Sequence, residues 1–236
     1  MNPLPSPETY EREIMYMPYK KSLDAVTEIA CSFTPIGGTV LDLMCGPGYL
    51  IRKISKQRED LLLRGIDSDE KYIEFAKSRA YKNNFFETAD VLSFQTERKY
   101  DLIMCTGALH HIPYERQEEV VKKMAQSVKK EGLVILSDCH IDAYSNELER
   151  KLAASKLGYE YLNEVIINNA PKDVIKATAD IIANDVLMDE FKTSFNDRYR
   201  LVEKHFEISS TLKTWPNFGG FQSYGDYILV LRGKQW

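Results

Sequence analysis

The sequence predicts a doubly wound α/β fold, in which a parallel β-sheet has helices on both faces. Between residues 39 and 138, short apolar runs typical of strands alternate with segments of helical pattern, and such alternation builds a parallel sheet. The first strand runs into a glycine-containing turn, at Gly46 and Gly48, directly before a helix-like segment. A strand, a glycine-rich turn and a helix form the unit that binds nucleotide-like ligands through the backbone.

The predicted elements follow in a regular order. Residues 8–33 indicate two helical segments interrupted at Pro18, because proline restricts both itself and the residue before it. Strands are predicted at 39–43, 61–67, 84–88, 100–105 and 132–138, and helices at 49–58, 69–81 and 116–130. Ligands collect at the carboxyl ends of the strands in such sheets, so the residues that follow these strands are the candidate site residues.

The pattern changes after residue 138. Residues 141–190 are mostly helical in character, and a further helix is predicted over about 190–204. Two extended runs follow, 206–215 and 227–232, and the glycine-containing loop between them predicts an antiparallel hairpin. We therefore expect one domain with four parts, which are N-terminal helices (1–38), a core (39–140), a helical cap insertion (141–190) and a last helix with the closing hairpin (191–236).

Composition limits the class of partner. The formal net charge is -4 and no long basic run is present, which disfavours a nucleic-acid polymer because phosphate neutralisation needs clustered Lys and Arg. No window reaches the ~18 apolar residues of a membrane helix, and the proline-rich start lacks the apolar segment of a secretory signal. The four cysteines show neither disulfide nor zinc spacing, which predicts a reduced, cytoplasmic setting. The sequence does not indicate an oligomeric state.

Five segments follow one another at the strand ends. Residues 42–48 read acid-x-Met-x-Gly-x-Gly, and the other segments are 65–68 (Gly-Ile-Asp-Ser), 88–91 (Thr-Ala-Asp-Val), 100–111 and 131–138. Together they resemble the five motifs of the class I S-adenosylmethionine-dependent methyltransferase family, with Met44 in place of the first glycine. A nicotinamide-binding motif fits less well, because Ile51 occupies its third glycine position. The resemblance implies a Rossmann-like seven-stranded sheet with an antiparallel C-terminal hairpin and a helical cap, and an enzyme whose cofactor is S-adenosyl-L-methionine.

The resemblance also implies which residues contact the cofactor. Asp67 would accept hydrogen bonds from both ribose hydroxyls, as a carboxylate can, while Asp90 and the backbone N–H of Val91 would meet the adenine. Taken singly, each acid could instead be a helix cap or a solvated loop acid. The cysteines beside the turn and in the fourth strand are expected to line the cofactor rather than to act as nucleophiles. The predicted cofactor-binding residues are Tyr19, Asp42, Met44, Cys45, Gly46, Gly48, Asp67, Ser68, Asp90, Val91, Cys105, Thr106 and Gly107.

Histidines follow the fourth and fifth predicted strands. His110 and His111 come after the fourth strand and His140 after the fifth. Histidine suits proton removal near neutral pH, so His111, His140 and His110 are the candidate catalytic residues. The alternative is that they only hold the loops and that the reaction proceeds by positioning. No third residue forms a readable metal-binding set with them, so no metal is predicted.

The expected reaction is methyl transfer to an oxygen or nitrogen of a small molecule. Acids outnumber bases between residues 141 and 200, which disfavours a polyanionic acceptor. The cap is also similar in placement to that of the carboxy-S-adenosylmethionine synthases, and Pro18-Tyr19 is similar to their Pro-x-Tyr, one residue short. In place of their carboxylate-binding arginine, the cap offers Lys172 and Lys176. Three alternatives stay open, a methyltransferase acting on protein or tRNA, a carboxy-S-adenosylmethionine synthase-like enzyme, and a non-catalytic cofactor-binding module.

Overall fold

A computed structural model describes residues 5–187, 190–220 and 222–234. Its centre is a seven-stranded sheet in the order β3-β2-β1-β4-β5-β7-β6. The strands are β1 (Thr39–Leu43), β2 (Leu62–Asp67), β3 (Asn84–Thr88), β4 (Tyr100–Thr106), β5 (Val128–His140), β6 (Phe206–Trp215) and β7 (Gly225–Gly233). The first five strands are parallel, and β7 runs antiparallel to both of its neighbours, β5 and β6. The predicted α/β fold class and its closing hairpin are confirmed.

Helices lie on both faces of the sheet. They are α1 (Pro7–Ile14), α2 (Lys20–Phe33), α3 (Tyr49–Ser55), α4 (Glu70–Ser78), α5 (Tyr114–Ser127), α6 (Glu147–Ile167), α7 (Lys172–Leu187) and α8 (Phe195–Glu203). Four of them begin after a polar residue whose side chain accepts a backbone N–H of the first turn, namely Ser6, Asp69, Asn146 and Ser194. Such side chains satisfy donors that the helix itself leaves unpaired, and they explain why these helices begin there.

Alternating strand side chains build a core on each face of the sheet. Leu41 of β1 packs with the α5 and α8 side, whereas its neighbour Val40 packs with Ile51 and the α2 and α3 side. These side chains are almost completely buried. Because successive residues of a strand point to opposite faces, the continuous apolar strands of this sheet are covered on both sides.

A third apolar cluster joins the cap helices α6 and α7 to the rest of the chain. Leu157 and Val174 of the cap pack with Ile141, just after β5, with Trp215 at the end of β6, and with Met17. The backbone oxygen of the neighbouring Tyr16 also accepts a 2.9 Å hydrogen bond from the Asn168 side chain. The cap therefore lies at the carboxyl end of β5, on the side of the sheet where the parallel strands end.

The boundary between α5 and β5 differs from the prediction. β5 begins at Val128 rather than 132, and α5 ends at Ser127 rather than 130. Val128 pairs with Tyr100 across a shift in strand register, and Lys129 pairs with Asp101. The polar run 129–131 has no strand alternation of its own, so long-range pairing determines its conformation. In the part of the chain described, no helix is long and apolar enough to cross a membrane.

Candidate functional site

The turn between β1 and α3 has three residues with left-handed backbone. Met44 has a φ of 56°, Gly46 of 54° and Gly48 of 75°. A Cβ on Gly48 would lie 2.7 Å from the Phe86 ring, so that position needs glycine for space as well as for conformation. Met44 adopts the conformation that a glycine would take, at a cost of roughly 1–2 kcal/mol for a residue with a Cβ.

Two acids lie beside this turn. Asp67, which ends β2, accepts the Gly46 N–H at 2.8 Å and the Asp69 N–H at 2.9 Å. Burial raises the pKa of Asp67, against the opposing influence of these donors and of the nearby His111. Asp42 is fully buried in β1, and no described residue donates to its Oδ1. Burial, and then the charge of Asp67, raises the pKa of Asp42 to about 8.

The segment after β3 forms a compact turn. Asp90 Oδ1 accepts the Leu92 N–H at 2.8 Å, and its backbone oxygen accepts the Phe94 N–H at 2.8 Å. The Asp90 side chain is exposed, whereas Val91 is buried in the α5-side core. A cavity of about 360 Å³ is lined by Val91, Leu43 and Met124 on that side of the sheet. It borders the predicted adenine position and lies away from the histidines.

Tyrosines of the N-terminal segment cover the turn. The position that a Cβ on Gly46 would take lies 3.9 Å from the rings of both Tyr10 and Tyr72, whose centroids are 5.7 Å apart. Tyr19, directly before α2, packs between the α2-side core and the cap cluster. Its hydroxyl is buried, and no described residue bonds to it. Asp42 Oδ1 and Tyr19 Oη are therefore among the buried polar atoms near this end of the sheet that have no hydrogen-bond partner in the described part of the chain.

The remaining predicted cofactor residues line the same strand ends. Thr106 ends β4 and pairs with Ser137 of β5, and the Gly107 N–H donates to the Ser137 oxygen at 2.8 Å. Ser68 follows β2 and is exposed. Burial raises the pKa of both the Cys45 and Cys105 thiols, so each stays protonated at neutral pH and is unsuited to nucleophilic attack.

His110 and His111 lie in a single turn of 3₁₀ helix after β4, and both face a carboxylate from the far end of the cap. Glu190 Oε2 is 3.3 Å from His110 Nε2 and 3.1 Å from His111 Nδ1. His110 is buried, whereas 44% of the His111 side chain remains exposed. Burial alone would lower the pKa of His111, but Glu190 outweighs it and the pKa is raised.

Further charged side chains surround this pair. His110 Nδ1 is 2.5 Å from Asp138 Oδ1, and the other oxygen of Asp138 is 3.7 Å from the Arg198 guanidinium. Burial would raise the pKa of Asp138, but His110 and Arg198 hold it below its usual range. Lys192 Nζ lies 2.7 Å from Asp185 Oδ1 and 3.6 Å from Glu190 Oε2. These acids and bases are almost wholly buried, so the ionic contacts compensate charges that water does not reach.

His140 is placed differently from the other two histidines. Its ring lies in the core, with centroids 5.7 Å from Phe195 and 5.5 Å from Tyr227, and 1% of the residue is exposed. No described residue bonds to its Nδ1. Burial lowers the pKa of His140 to about 3. The structure therefore brings His110 and His111 together at the strand ends and places His140 among aromatic side chains.

Several residues of this region were not found from the sequence. Glu190 was assigned only to the end of the cap, and Tyr10 only to a helical segment. Both reach the site through the tertiary fold, and nothing in their local sequence indicates it. The cap also contains a buried arginine, Arg150, which pairs with Glu147 and donates to the Asp185 backbone oxygen at 3.2 Å. Lys176 pairs with Asp180 at the surface, and Lys172 is exposed.

Comparison with known proteins connects this geometry to a family. Residues 40–132 match the family described as methyltransferase domain. The chain is 22% identical over 219 residues to the carboxy-S-adenosyl-L-methionine synthase of Campylobacter jejuni, covering 88% of this chain and 86% of that protein. It is 31% identical to the enzyme of the same name from Sulfurimonas denitrificans over 134 residues, covering 55% of this chain and 57% of that protein. Several matches to the curated relatives thus span about half of their length.

Solved structures share the fold. The N-methyltransferase NodS from Bradyrhizobium japonicum, in complex with S-adenosyl-L-homocysteine, matches with a TM-score of 0.62 and 11% identity, over 92% of this chain and 87% of that chain. The magnesium protoporphyrin IX methyltransferase ChlM from Synechocystis, also with this bound product, matches with a TM-score of 0.59 and 21% identity, over 92% and 84%. At these identities the likeness concerns the fold.

Proposed function

We propose that the chain is a class I S-adenosylmethionine-dependent methyltransferase that methylates an oxygen or nitrogen of a small molecule. The family match over residues 40–132 and the shared fold support the first part of this proposal. The observation that supports this best is the placement of His111. Its partly exposed ring lies at the carboxyl end of β4 and is close enough to Asp67, at the end of β2, to influence the pKa of that acid. A titratable base therefore lies at the edge of the sheet where the cofactor motifs end.

The polar atoms of that edge fit the cofactor. Asp67 uses one lone pair on each oxygen for backbone donors and retains acceptor capacity for the ribose hydroxyls. Asp90 accepts a described hydrogen bond only through Oδ1, which leaves Oδ2 for the adenine amino group. The unpartnered Asp42 Oδ1 and Tyr19 Oη suit the ammonium and carboxylate of the methionine part. Buried polar atoms without partners are costly, so their presence favours a polar ligand.

The residues of this chain would bind, orient and deprotonate. S-adenosylmethionine supplies, when bound, a methyl group on a sulfonium that an aligned nucleophile takes by in-line attack. His111 is the group that would accept the proton of the acceptor, since it is partly open to solvent and Glu190 raises its pKa. Met44 and the turn around it would position the reacting end, and holding two reactants in line contributes much of the rate.

The charges around His111 indicate the kind of acceptor. Asp138, Asp185 and Glu190 contribute three buried carboxylates, against the two cations Lys192 and Arg198. An anionic acceptor would meet this excess of negative charge at short range, where burial weakens screening. A neutral phenol or alcohol, or an amine, suits the lining better.

The helical cap is proposed to act as a lid over the acceptor. Its helices α6 and α7 pack at the carboxyl end of β5 and against Met17, next to the histidines. Closure of such an element excludes water from the reacting groups. Hydrogen exchange with and without S-adenosylhomocysteine tests this, and equal protection of 147–187 in both states would contradict it.

The direct test of the function is product formation. The protein would be incubated with S-adenosylmethionine and panels of phenols, alcohols, amines and carboxylic acids, with release of S-adenosylhomocysteine as the readout. We expect turnover with neutral or amine acceptors. The His111→Gln variant should lose this turnover and keep its affinity for the cofactor. Cofactor binding without turnover on any panel, protein extract or tRNA would favour a non-catalytic module.

A carboxy-S-adenosylmethionine synthase-like activity is the second candidate. The relationship to the Campylobacter jejuni protein of that name over 88% of this chain favours it. The buried carboxylates near His111 oppose it, because the added carboxyl group would be an anion and would be repelled there. The basic cap side chains Lys176 and Arg150 also already pair with the acids Asp180 and Glu147. Mass spectrometry of the cofactor recovered from cells expressing the protein distinguishes the two. Recovery of a cofactor that carries an added carboxylate would establish the synthase-like activity and contradict the proposed methyl transfer.

A further inference from the structure

The cap delivers one carboxylate to the histidine pair. Glu190 follows α7, and Phe191, the next residue, donates its backbone N–H to the His110 oxygen at 2.7 Å. Gln117 of α5 donates to the Phe191 oxygen at 3.0 Å. These backbone contacts hold residues 190 and 191 against the turn that contains both histidines. The backbone itself therefore places Glu190 next to His111.

The hydrogen-bond partners of His110 assign its protons. Ionised Asp138 can only accept, so His110 Nδ1 donates to it at 2.5 Å. Burial lowers the pKa of His110, which leaves Nε2 as a lone pair that cannot donate to Glu190. His111 is therefore the histidine that can donate a proton to Glu190. Its Nδ1 lies 3.1 Å from Oε2 as an ion-pair contact, and no described residue makes an aligned hydrogen bond to that oxygen.

Lys192 keeps Glu190 ionised. Burial would raise the pKa of Glu190, but Lys192 and His111 hold it below its usual range. The Lys192 ammonium is 2% exposed and also pairs with Asp185. His110, His111 and Glu190 lie close enough together to be considered as metal ligands. The ammonium 3.6 Å from the shared oxygen opposes a second cation there by like-charge repulsion.

We propose, on the basis of the proposed methyl transfer, that Glu190 is the positioning residue for His111. Its carboxylate holds the proton of His111 on Nδ1, so that Nε2 is free to accept the proton of the acceptor, and it stabilises the imidazolium that results. As the nucleophile bonds to the methyl carbon, the carbon–sulfur bond breaks with its electron pair going to sulfur, and the proton passes to His111 Nε2. Glu190 stays ionised throughout. Contacts of this kind are often poorly aligned before the substrate binds and tighten in the complex.

The first experiment measures His111 without requiring turnover. Its C2 proton would be followed by NMR between pH 5 and 9 in the wild type, in Glu190→Gln and in Glu190→Asp, with Glu160→Gln as a matched control on α6. The groups that face His111 are His110 from the same turn, Asp138 of β5, Asp67 of β2, and Lys192 beside Glu190. Removing the charge of Glu190 in Glu190→Gln should lower the pKa of His111. Glu190→Asp, which keeps a carboxylate, should show a smaller decrease in that pKa. An unchanged pKa in Glu190→Gln would overturn the proposal.

The second experiment measures turnover against pH with an accepted substrate. Glu190→Gln should lower kcat by about 10- to 100-fold and shift the acidic limb of the profile to lower pH, with KM for the cofactor unchanged. A merely structural role would lower the amount of active enzyme without moving that limb. Loss of turnover on treatment with a chelator, restored by a divalent metal, would identify a metal site instead and overturn the proposal. If no acceptor is ever methylated, the proposed function fails while the NMR result still decides the pairing.

Discussion

Asp67 Oδ2 accepts a 2.8 Å hydrogen bond from the backbone N–H of Gly46, which ties the end of β2 to the turn after β1. The acid that would hold the ribose thus also shapes the turn that approaches the cofactor. Asp67→Ala should therefore weaken binding of S-adenosylhomocysteine by roughly 1–3 kcal/mol, the cost of losing hydrogen bonds to a charged group. Calorimetric titration measures this. Asp60→Ala, which removes an exposed partner of Arg58, should bind as the wild type does, and equal affinity in both variants would remove the ribose role.

Gly48 and Gly107 offer a matched pair for the turn geometry. Both have positive φ, of 75° and 59°, but a Cβ would clash with Phe86 at Gly48 and would find open space at Gly107. Gly107→Ala should lower the free energy of unfolding by about 1 kcal/mol, which is the backbone strain alone. Gly48→Ala adds overpacking, typically a further 1–3 kcal/mol. Urea unfolding of the ligand-free proteins would compare them, and similar losses would show that the turn can shift to admit a side chain.

His111 and His140 should differ in their effect on turnover. His111→Gln should lower kcat by ~10²-fold or more, as expected for loss of a general base. His140 lies between Phe195 and Tyr227 with its pKa lowered to about 3, so His140→Phe should retain most of the turnover. Release of S-adenosylhomocysteine measures both. If His140→Phe loses most of its turnover while its stability and cofactor affinity are unchanged, His140 takes part in catalysis.

Asp226 should make stability depend on pH. It is buried, Tyr161 donates to it, and burial raises its pKa from 3.8 to about 7. Between these values the folded protein binds a proton at Asp226 that the unfolded chain has released. The contribution of Asp226 to the free energy of unfolding therefore falls as the pH rises, and this contribution is constant above about 7. Asp226→Asn removes this dependence.

The measurement is urea unfolding of the wild type and Asp226→Asn at pH 5 and pH 8. The variant should gain stability relative to the wild type at the higher pH, by on the order of 2 kcal/mol, since each unit of pKa shift corresponds to about 1.4 kcal/mol. Taking the difference removes the contributions of Glu13 and Asp42, whose pKa values are also raised by burial. A constant difference at the two pH values would show that Asp226 is ionised in the folded state.

Local patterns were sufficient for the bounds of β1 and β3 and for the glycine turn. β1 and β3 have the predicted bounds, because apolar runs flanked by turn residues specify a buried strand without help from distant residues. The strand ends then locate Asp67 and His111, since the carboxyl ends of parallel strands meet at one edge. Glu190 shows the limit, because its neighbours in sequence are those of an ordinary helix end. Its approach to His111 depends on how the cap folds back onto the strand ends, and no local sequence pattern predicts that arrangement.

The early part of β5 shows the same limit on a smaller scale. Val128 is followed by Lys129 and two further polar residues, a composition that continues a surface helix as readily as it begins a strand. Pairing with Tyr100 decides in favour of the strand. Local propensity is a weak preference that tertiary contacts override.

The eight-residue helix α1 contacts both halves of the site. Glu11 pairs with Arg52 of α3 and Arg79 beyond α4, on the cofactor side, whereas Arg12, the next residue, pairs with Asp173 of the cap. The proposed cofactor site lies beside Tyr10 of this helix, and the cap is attached to the helix through Asp173. The proposed binding of the donor and the proposed closure of the cap over the acceptor would therefore be linked through α1. We expect compulsory-ordered kinetics, with the donor first to bind and its demethylated product last to leave.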